Sequence, residues 1–413
     1  MKKNNLKNFK YLTCQICNSK KLNNIFDLGY QPTVNDFPKI SDQRVLTETY
    51  PLKINFCKRC SLVQLDTKID TNKIFPLNYA YRSGTTKILI DNFKDLSNDI
   101  EKLNILNSGD KILDIGSNDG TLLKSFKKNY LRLGVEPTDI AKISIKNGIK
   151  TIQKPFSYAL SKKIKKKYGK FKVITAANVF AHIDNVHDVL KGIMNLIHDD
   201  GIFVNESHYL KSFLDTIQYD TIYHEHLRYY SINSQKYLFK KYNLNIFDAK
   251  KIPTHGGSIR IYVSKNKKEL TKNAKKLFKE ESSGLKLQKE LLNFKKRVLK
   301  SKVNFWYLIS KLILKNKKIV GISAPSRAST MINYLGIDEN IVSYICEKKG
   351  SLKIGKFIPG TKIKVINEDF IIKDQPDFAV IFSWHIYKDL IKILKKKGYK
   401  GKFIIPLPKP RIL

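Results

Sequence analysis

The chain is poor in several residue classes, and each shortage excludes something. It has no run of about 20 apolar residues, so no transmembrane helix is expected. Met1 is followed by Lys2, Lys3, Asn4 and Asn5 rather than by an apolar leader, so the expected compartment is the cytoplasm, with no membrane partner. Acidic residues number 36 against 77 basic ones, a formal net charge of +41. Arginine is scarce among those cations, and the lysines are spread along the whole chain together with abundant Asn and Ile. A specific reader of nucleic acid would concentrate arginine where bidentate contacts are made. No specific nucleic-acid partner is therefore expected, although the charge would attract a diphosphate-bearing substrate. Five cysteines in 413 residues are too few for a disulfide framework.

What is present is ordered. A hydrophobic content of 42% is enough for packed cores, and the length suits two or three domains. Four of the five cysteines form two CxxC pairs, Cys14 with Cys17 and Cys57 with Cys60. A CxxC turn sets two thiolates on one side of a tight loop, and two such turns complete a tetrahedral S₄ site for zinc. With all four positions filled by protein, the ion is expected to be structural, since no position is left for a reactive water. Cys346 stands apart and is expected to be an ordinary buried residue.

Residues 77–85 read as a polar, aromatic loop containing Tyr79 and Tyr81, followed by a helical pattern from Ile88 to Ile100. An apolar strand then enters ILDIGSNDG (112–120), whose small residues let backbone approach a ligand closely. The next strand ends at Glu136, placed to accept hydrogen bonds from ribose hydroxyls. Further strands at 171–176 and 201–206, alternating with helices, indicate a doubly wound parallel sheet with its ligand at the carboxyl ends of the strands. Beyond it lies a dense polar cluster of Tyr219, Tyr223, His224, Glu225, His226, Arg228, Tyr229 and Tyr230, with His255 and Arg260 following. Each histidine alone suits a structural role. Together, beside a cofactor fold, they suggest an active site in which His226 or His224 acts as general base. The HExH spacing is not the HExxH of a zinc protease.

Residues 266–302 read as a solvated amphipathic linker helix. After it, strand, small-residue turn and helix start recur at 317–328, where backbone amides favour a phosphate and Arg327 could assist. Strands at 341–345, 378–382 and 402–405 suggest a second α/β domain. The expected division is a zinc module over 1–75, a Rossmann-like core with the polar cluster over 76–265, linker helices over 266–310 and a second Rossmann-like domain over 311–413.

This order resembles the sugar-nucleotide C-methyltransferases, which place a methyl branch on a deoxy-ketosugar. The resemblance spans nearly the whole chain. It rests on ILDIGSNDG, NVFAHI (178–183), YHEHLRYYS (223–231), HGGSIR (255–260), GISAPSRAST (321–330), GKFIPGT (355–361) and FSWHI (382–386). It implies an S-adenosylmethionine site on Asp114, Gly116, Asn118, Gly120, Glu136 and Asn178. It also implies His226 as the base that removes a proton beside the ketone, with Tyr223 and Glu225 orienting the sugar and His182 near the sugar and methyl donor. Tyr79 or Tyr81, His224 and His255 would line the sugar pocket. Ser326, Arg327 and Lys353 would meet the nucleotide diphosphate. The chain departs from the family at Arg327, where lysine is usual, and over residues 346–352, which lack the usual acidic and Asn-Pro pattern.

The chemistry stands without the family, because a carbon beside a ketone is acidic enough for an enzyme base once the enolate oxygen is stabilised. The alternatives are a methyltransferase acting on oxygen or nitrogen, and a zinc-containing, basic nucleic-acid-binding methyltransferase with steeply salt-dependent affinity.

Overall fold

The computed structural model describes residues 10–41, 47–75, 77 and 82–413. Among these, three sheets organise an α/β chain. The first is small: β1 (Leu22–Pro32), β2 (Thr49–Cys57) and β3 (Val63–Leu65) pair antiparallel. Its fourth strand arrives from far along the chain, residues Arg228–Tyr229.

The second sheet builds the expected Rossmann-like core. β4 (Lys111–Ile115), β5 (Leu131–Val135), β6 (Lys150–Ile152), β7 (Phe171–Ala177) and β8 (Ile197–His208) run parallel. β9 (Arg228–Tyr229) is the strand lent to the first sheet; β10 (Asn245–Ile252) and β11 (Ser258–Ser264) then return antiparallel beside β8. The spatial order is β10-β11-β8-β7-β4-β5-β6. From β4 the chain winds first towards β6 and then, from β7, the other way. The crevice between β4 and β7 is therefore a topological switch point, where such sheets bind ligands.

The third sheet comprises β12 (Ile319–Ile322), β13 (Tyr344–Glu347), β14 (Lys356–Phe357), β15 (Lys364–Asn367), β16 (Phe378–Ile381), β17 (Lys402–Ile405) and β18 (Arg411–Ile412). Its order is β14-β15-β13-β12-β16-β17-β18, with antiparallel strands only at the two edges. β13 begins later than the apolar run from Ile341 suggests, because Val342 N–H bonds the Asp338 carbonyl at 2.9 Å and keeps that stretch in a turn.

The charged segment after β11 is not one solvated helix. It is two, Lys272–Glu280 and Gly284–Ile313. They break where the Glu281 carboxylate turns away to accept the Ile232 and Asn233 amides at 2.7 and 2.8 Å. The longer helix buries Leu287, Leu291, Phe294, Val298, Phe305 and Ile309 in one core with Ile25, Phe26 and Leu52 of the first sheet and with the third sheet. At about 1.5–3 kcal/mol for each large side chain taken from water, this face fastens the zinc module to the C-terminal domain.

Candidate active site and zinc centre

The two CxxC knuckles are built alike. Asn18 N–H bonds the Cys14 carbonyl at 2.9 Å and Ser61 N–H bonds that of Cys57 at 3.0 Å. Each turn ends on a left-handed residue, Asn18 at φ 57° and Ser61 at φ 62°. Cys14, Cys17, Cys57 and Cys60 are all buried, with their sulfurs within 4.8 Å of one another. A tetrahedral zinc with bonds near 2.3 Å needs edges of about 3.8 Å. The four thiols fit zinc, and they leave no position for water. Cys346 is buried in the third sheet, as expected.

The knuckle also reaches the polar cluster. Gln15, between Cys14 and Cys17, donates from Nε2 to the Leu227 carbonyl at 3.3 Å and accepts from Arg228 Nη1 at 2.6 Å. These are the two residues that follow His226.

At the β4–β7 crevice, Gly116 has φ +70°, and a Cβ there would lie 2.5 Å from Val179. Only glycine fits. Asn118 is left-handed as well, at φ 49°. Its amide donates to Glu136 Oε2 at 3.1 Å, while Thr138 N–H and Oγ1–H donate to Oε1 at 2.9 and 2.7 Å. Gly120, at φ +79°, precedes the helix Thr121–Ser125. Asp114 is buried beneath the turn, and burial raises its carboxyl to about 7 while Thr175 donates to it at 2.7 Å. Asn178, left-handed at φ 59°, ends β7 and bonds the Glu206 carbonyl through its amide at 2.7 Å. A crevice with a cramped glycine turn, an acid at the next strand end and a buried Ser117 hydroxyl without a partner among the described residues fits the ribose and amino-acid groups of S-adenosylmethionine.

Residues 219–227 carry His226, the candidate base. The helical turn Tyr219–Thr221 presents the Thr221 carbonyl, which accepts from His226 Nδ1–H at 2.9 Å. A carbonyl can only accept, so the proton of neutral His226 sits on Nδ1 and Nε2 carries the lone pair. Tyr223 O–H donates to that Nε2 at 3.0 Å. Around the ring stand His182, with centroids 4.9 Å apart, and His208, stacked at 6.3 Å. Burial, then these neighbouring imidazoles, hold His226 well below its ordinary pKa, so it is neutral at pH 7. Burial likewise lowers His182 to about 4 and His208 to about 3. His208 carried no motif in the sequence; only the end of β8 brings it here. His255, left-handed at φ 56°, is lowered to about 4 by burial and by Arg327. His224 faces the zinc module instead, where its Nε2–H donates to the Pro51 carbonyl at 3.2 Å. That bond and its burial leave it poorly placed to be the base.

The cluster is also a junction of all three parts of the chain. Asn35, in the first part, donates to Glu225 Oε1 at 2.5 Å and accepts from Ser326 Oγ at 2.7 Å. Lys353 approaches from the C-terminal domain, its Nζ bonding the Ala324 carbonyl at 2.7 Å, and burial lowers its pKa. Arg327 departs from expectation. Its guanidinium turns inward onto Asp220 with two bonds of 2.6 and 2.8 Å, so its fork is committed to an ion pair rather than offered to a diphosphate. Arg260 of HGGSIR is buried too, holding Glu206 at 3.1 Å together with Asp95 and Asp99. Tyr79 and Tyr81 lie outside the described residues. Asn35, Gln15 and Asp220 gave no sequence signal, since the partners that define them are remote in the chain.

Comparison with known proteins gives matches along the whole order of the chain. Residues 14–75 match a zinc binding domain, 81–249 a methyltransferase domain and 253–408 the C-methyltransferase C-terminal domain. The C-methyltransferase NovU of Streptomyces niveus is 27% identical over 409 residues, covering 97% of this chain and 96% of its own. Among solved structures, an S-adenosylmethionine-dependent methyltransferase from Clostridium acetobutylicum aligns over 44% of this chain and 93% of its own, at 16% identity and TM-score 0.33. The plantazolicin methyltransferase BpumL aligns over 42% and 82%, at 12% identity and TM-score 0.34. The three matches follow one another along the chain, which is an S-adenosylmethionine-dependent methyltransferase with a Cys₄ zinc module and is similar to a C-methyltransferase over nearly its whole length.

Proposed function

We propose that this enzyme methylates the carbon beside the ketone of a nucleotide-linked deoxy-ketosugar. The observation that carries the proposal is the lone pair on His226 Nε2, kept unprotonated by burial and oriented by the Nδ1–H bond to the Thr221 carbonyl. In this reading Nε2 removes the proton alpha to the ketone, leaving an enolate whose carbon becomes the nucleophile. Tyr223 O–H, now on Nε2, turns to the sugar when the base engages the substrate and donates to developing negative charge. Glu225, held by Asn35, orients a sugar hydroxyl. His182 packs against the base on the cofactor side, and its buried Nδ1 has no partner among the described residues.

S-adenosylmethionine supplies an electrophilic methyl on a sulfonium. Asp114, Gly116, Asn118, Gly120, Glu136 and Asn178 are assigned to hold it so that carbon and methyl meet in line. Ser326 and Lys353 are assigned to the diphosphate, at the start of the helix Ser326–Leu335. His255 is assigned to the sugar pocket, Arg327 to positioning. Four buried, unpaired cysteines around one metal position support a reducing, cytoplasmic setting.

The test is mass spectrometry of a panel of nucleotide-4-ketosugars incubated with enzyme and methyl-labelled S-adenosylmethionine. A labelled methyl on carbon, absent with His226→Gln, is expected. Label on oxygen or nitrogen, or on no sugar at all, would overturn the assignment.

A further inference from the structure

The helix Gly284–Ile313 is apolar on two opposite faces. Its inner face is the core already described. On its outer side Leu285, Leu292, Leu299, Val303, Tyr307 and the capping Leu314 are 75, 46, 59, 59, 64 and 84% exposed. At 3.6 residues per turn these six positions fall within about 40° of a single line along a helix about 45 Å long. Scattered apolar residues on a surface need no explanation; a straight stripe along one whole helix does.

The charges around the stripe restrict what covers it. Lys289 and Lys296 lie within the stripe, and Lys286, Lys295, Lys300 and Lys311 flank it, all exposed. The helix contains one acid, Glu290, whose Oε1 accepts from Ser282 at 2.6 Å. Beside the far end a cavity of about 830 Å³ opens between this helix and the C-terminal residues. Its walls include Leu308 and Leu312, its rim Lys300, Lys311, Lys315 and Lys409, and it holds no carboxylate.

We infer that this face docks on an anionic lipid surface. A second copy is disfavoured by charge, because pairing two copies of this face would set lysine against lysine with no acid on the stripe to offset them. An apolar line with two lysines on it and others flanking it suits a helix lying in a membrane interface, where the long lysine stems reach up to the headgroups and an anionic leaflet supplies the opposite charge. The enzyme would rest on the bilayer through this helix and not cross it; no helix among the described residues is long and apolar enough to span.

The test is co-sedimentation of the full-length enzyme with phosphatidylcholine vesicles, with and without about 30% phosphatidylglycerol. Binding is expected only to the anionic vesicles. The triple variant Leu299→Asp, Val303→Asp, Tyr307→Asp should bind at least about tenfold more weakly while soluble methyltransferase activity stays unchanged. A milder variant, Lys289→Gln with Lys296→Gln and Lys300→Gln, should also weaken binding. Failure of the native protein to sediment would overturn the inference. So would unchanged vesicle binding by the triple variant, which would mean diffuse charge alone is at work. A solution dimer broken by the same triple substitution would assign the face to a second copy and equally overturn it.

Discussion

Arg327 and Asp220 form a buried bidentate ion pair between the C-terminal domain and the segment that carries His226. Nε and Nη2 donate to the two carboxylate oxygens at 2.6 and 2.8 Å, and the Trp384 indole N–H adds a third donor to Asp220 at 2.8 Å. Asp220 precedes Thr221, whose carbonyl fixes the tautomer of His226. Thr330, on the same helix as Arg327, bonds the Ile222 carbonyl at 3.1 Å. The C-terminal domain thus holds the base from behind.

Removing one partner of such a pair leaves an uncompensated buried charge. Arg327→Met should cost about 3–5 kcal/mol of stability in denaturant unfolding. In the surviving folded enzyme, kcat should fall more than KM changes, because the base is misplaced while the ligand contacts remain. Arg327→Lys should recover part of the stability, since an ammonium can meet only one of the oxygens well.

His226→Gln should lower kcat by about 10²–10⁴-fold, the usual worth of a positioned base. Affinity for S-adenosylmethionine by calorimetry should be nearly unchanged, because the cofactor turn lies on other elements. Catalysis needs neutral imidazole, so kcat/KM should rise with pH along an acidic limb. Burial holds His226 below its ordinary 6.5, which places that limb below pH 6.5 in the free enzyme. A rate still climbing between pH 7 and 8 would contradict the assignment.

The same burial makes the fold acid-sensitive. His182, His224 and His255 are lowered to about 4 and His208 to about 3. Below about pH 6.5 the unfolded chain binds protons that these folded histidines refuse, so stability is full above that pH. It should decline progressively between about pH 6.5 and 4, with the midpoint of urea unfolding falling across that window. A flat midpoint would show that the rings take up protons in place.

The zinc knuckle reaches the segment of His226 through Gln15. Cys57→Ser should lower zinc content and melting temperature. It should also reduce kcat, because the knuckle that places Gln15 beneath Leu227 and Arg228 is loosened. Gln15→Ala should reduce kcat while zinc, measured by atomic emission, stays at one per chain. Full activity in both variants would confine the metal to a purely structural role.

The local motifs were readable because their chemistry is local. A CxxC turn needs only four consecutive residues, and the knuckles at Cys14 and Cys57 close through bonds inside their own loops. Gly116 and Glu136 lie on successive strands joined by one short helix, so the cofactor crevice was also legible. Residues 266–302 misled because their lysines pointed to solvent while Leu287, Leu291 and Phe294 supplied a core face whose partners, such as Phe26, lie more than 250 positions away. The same lysine-rich pattern concealed the break at Glu281, which follows from a bond to another helix start.

By itself, the sequence determined the metal set, the order of the α/β units, the cofactor turn and His226 as a candidate base, since each depends on neighbours along the chain. Tertiary structure decided which histidines surround that base, that His224 serves the zinc module, and that Arg327 is committed to Asp220. It also joined Asn35, Glu225 and Ser326, which span 291 positions, into one hydrogen-bonded chain. The physical reason is common to all of them. A buried polar group must find a partner wherever the packed layers bring one within 3 Å or so, and spacing along the chain carries no record of that meeting.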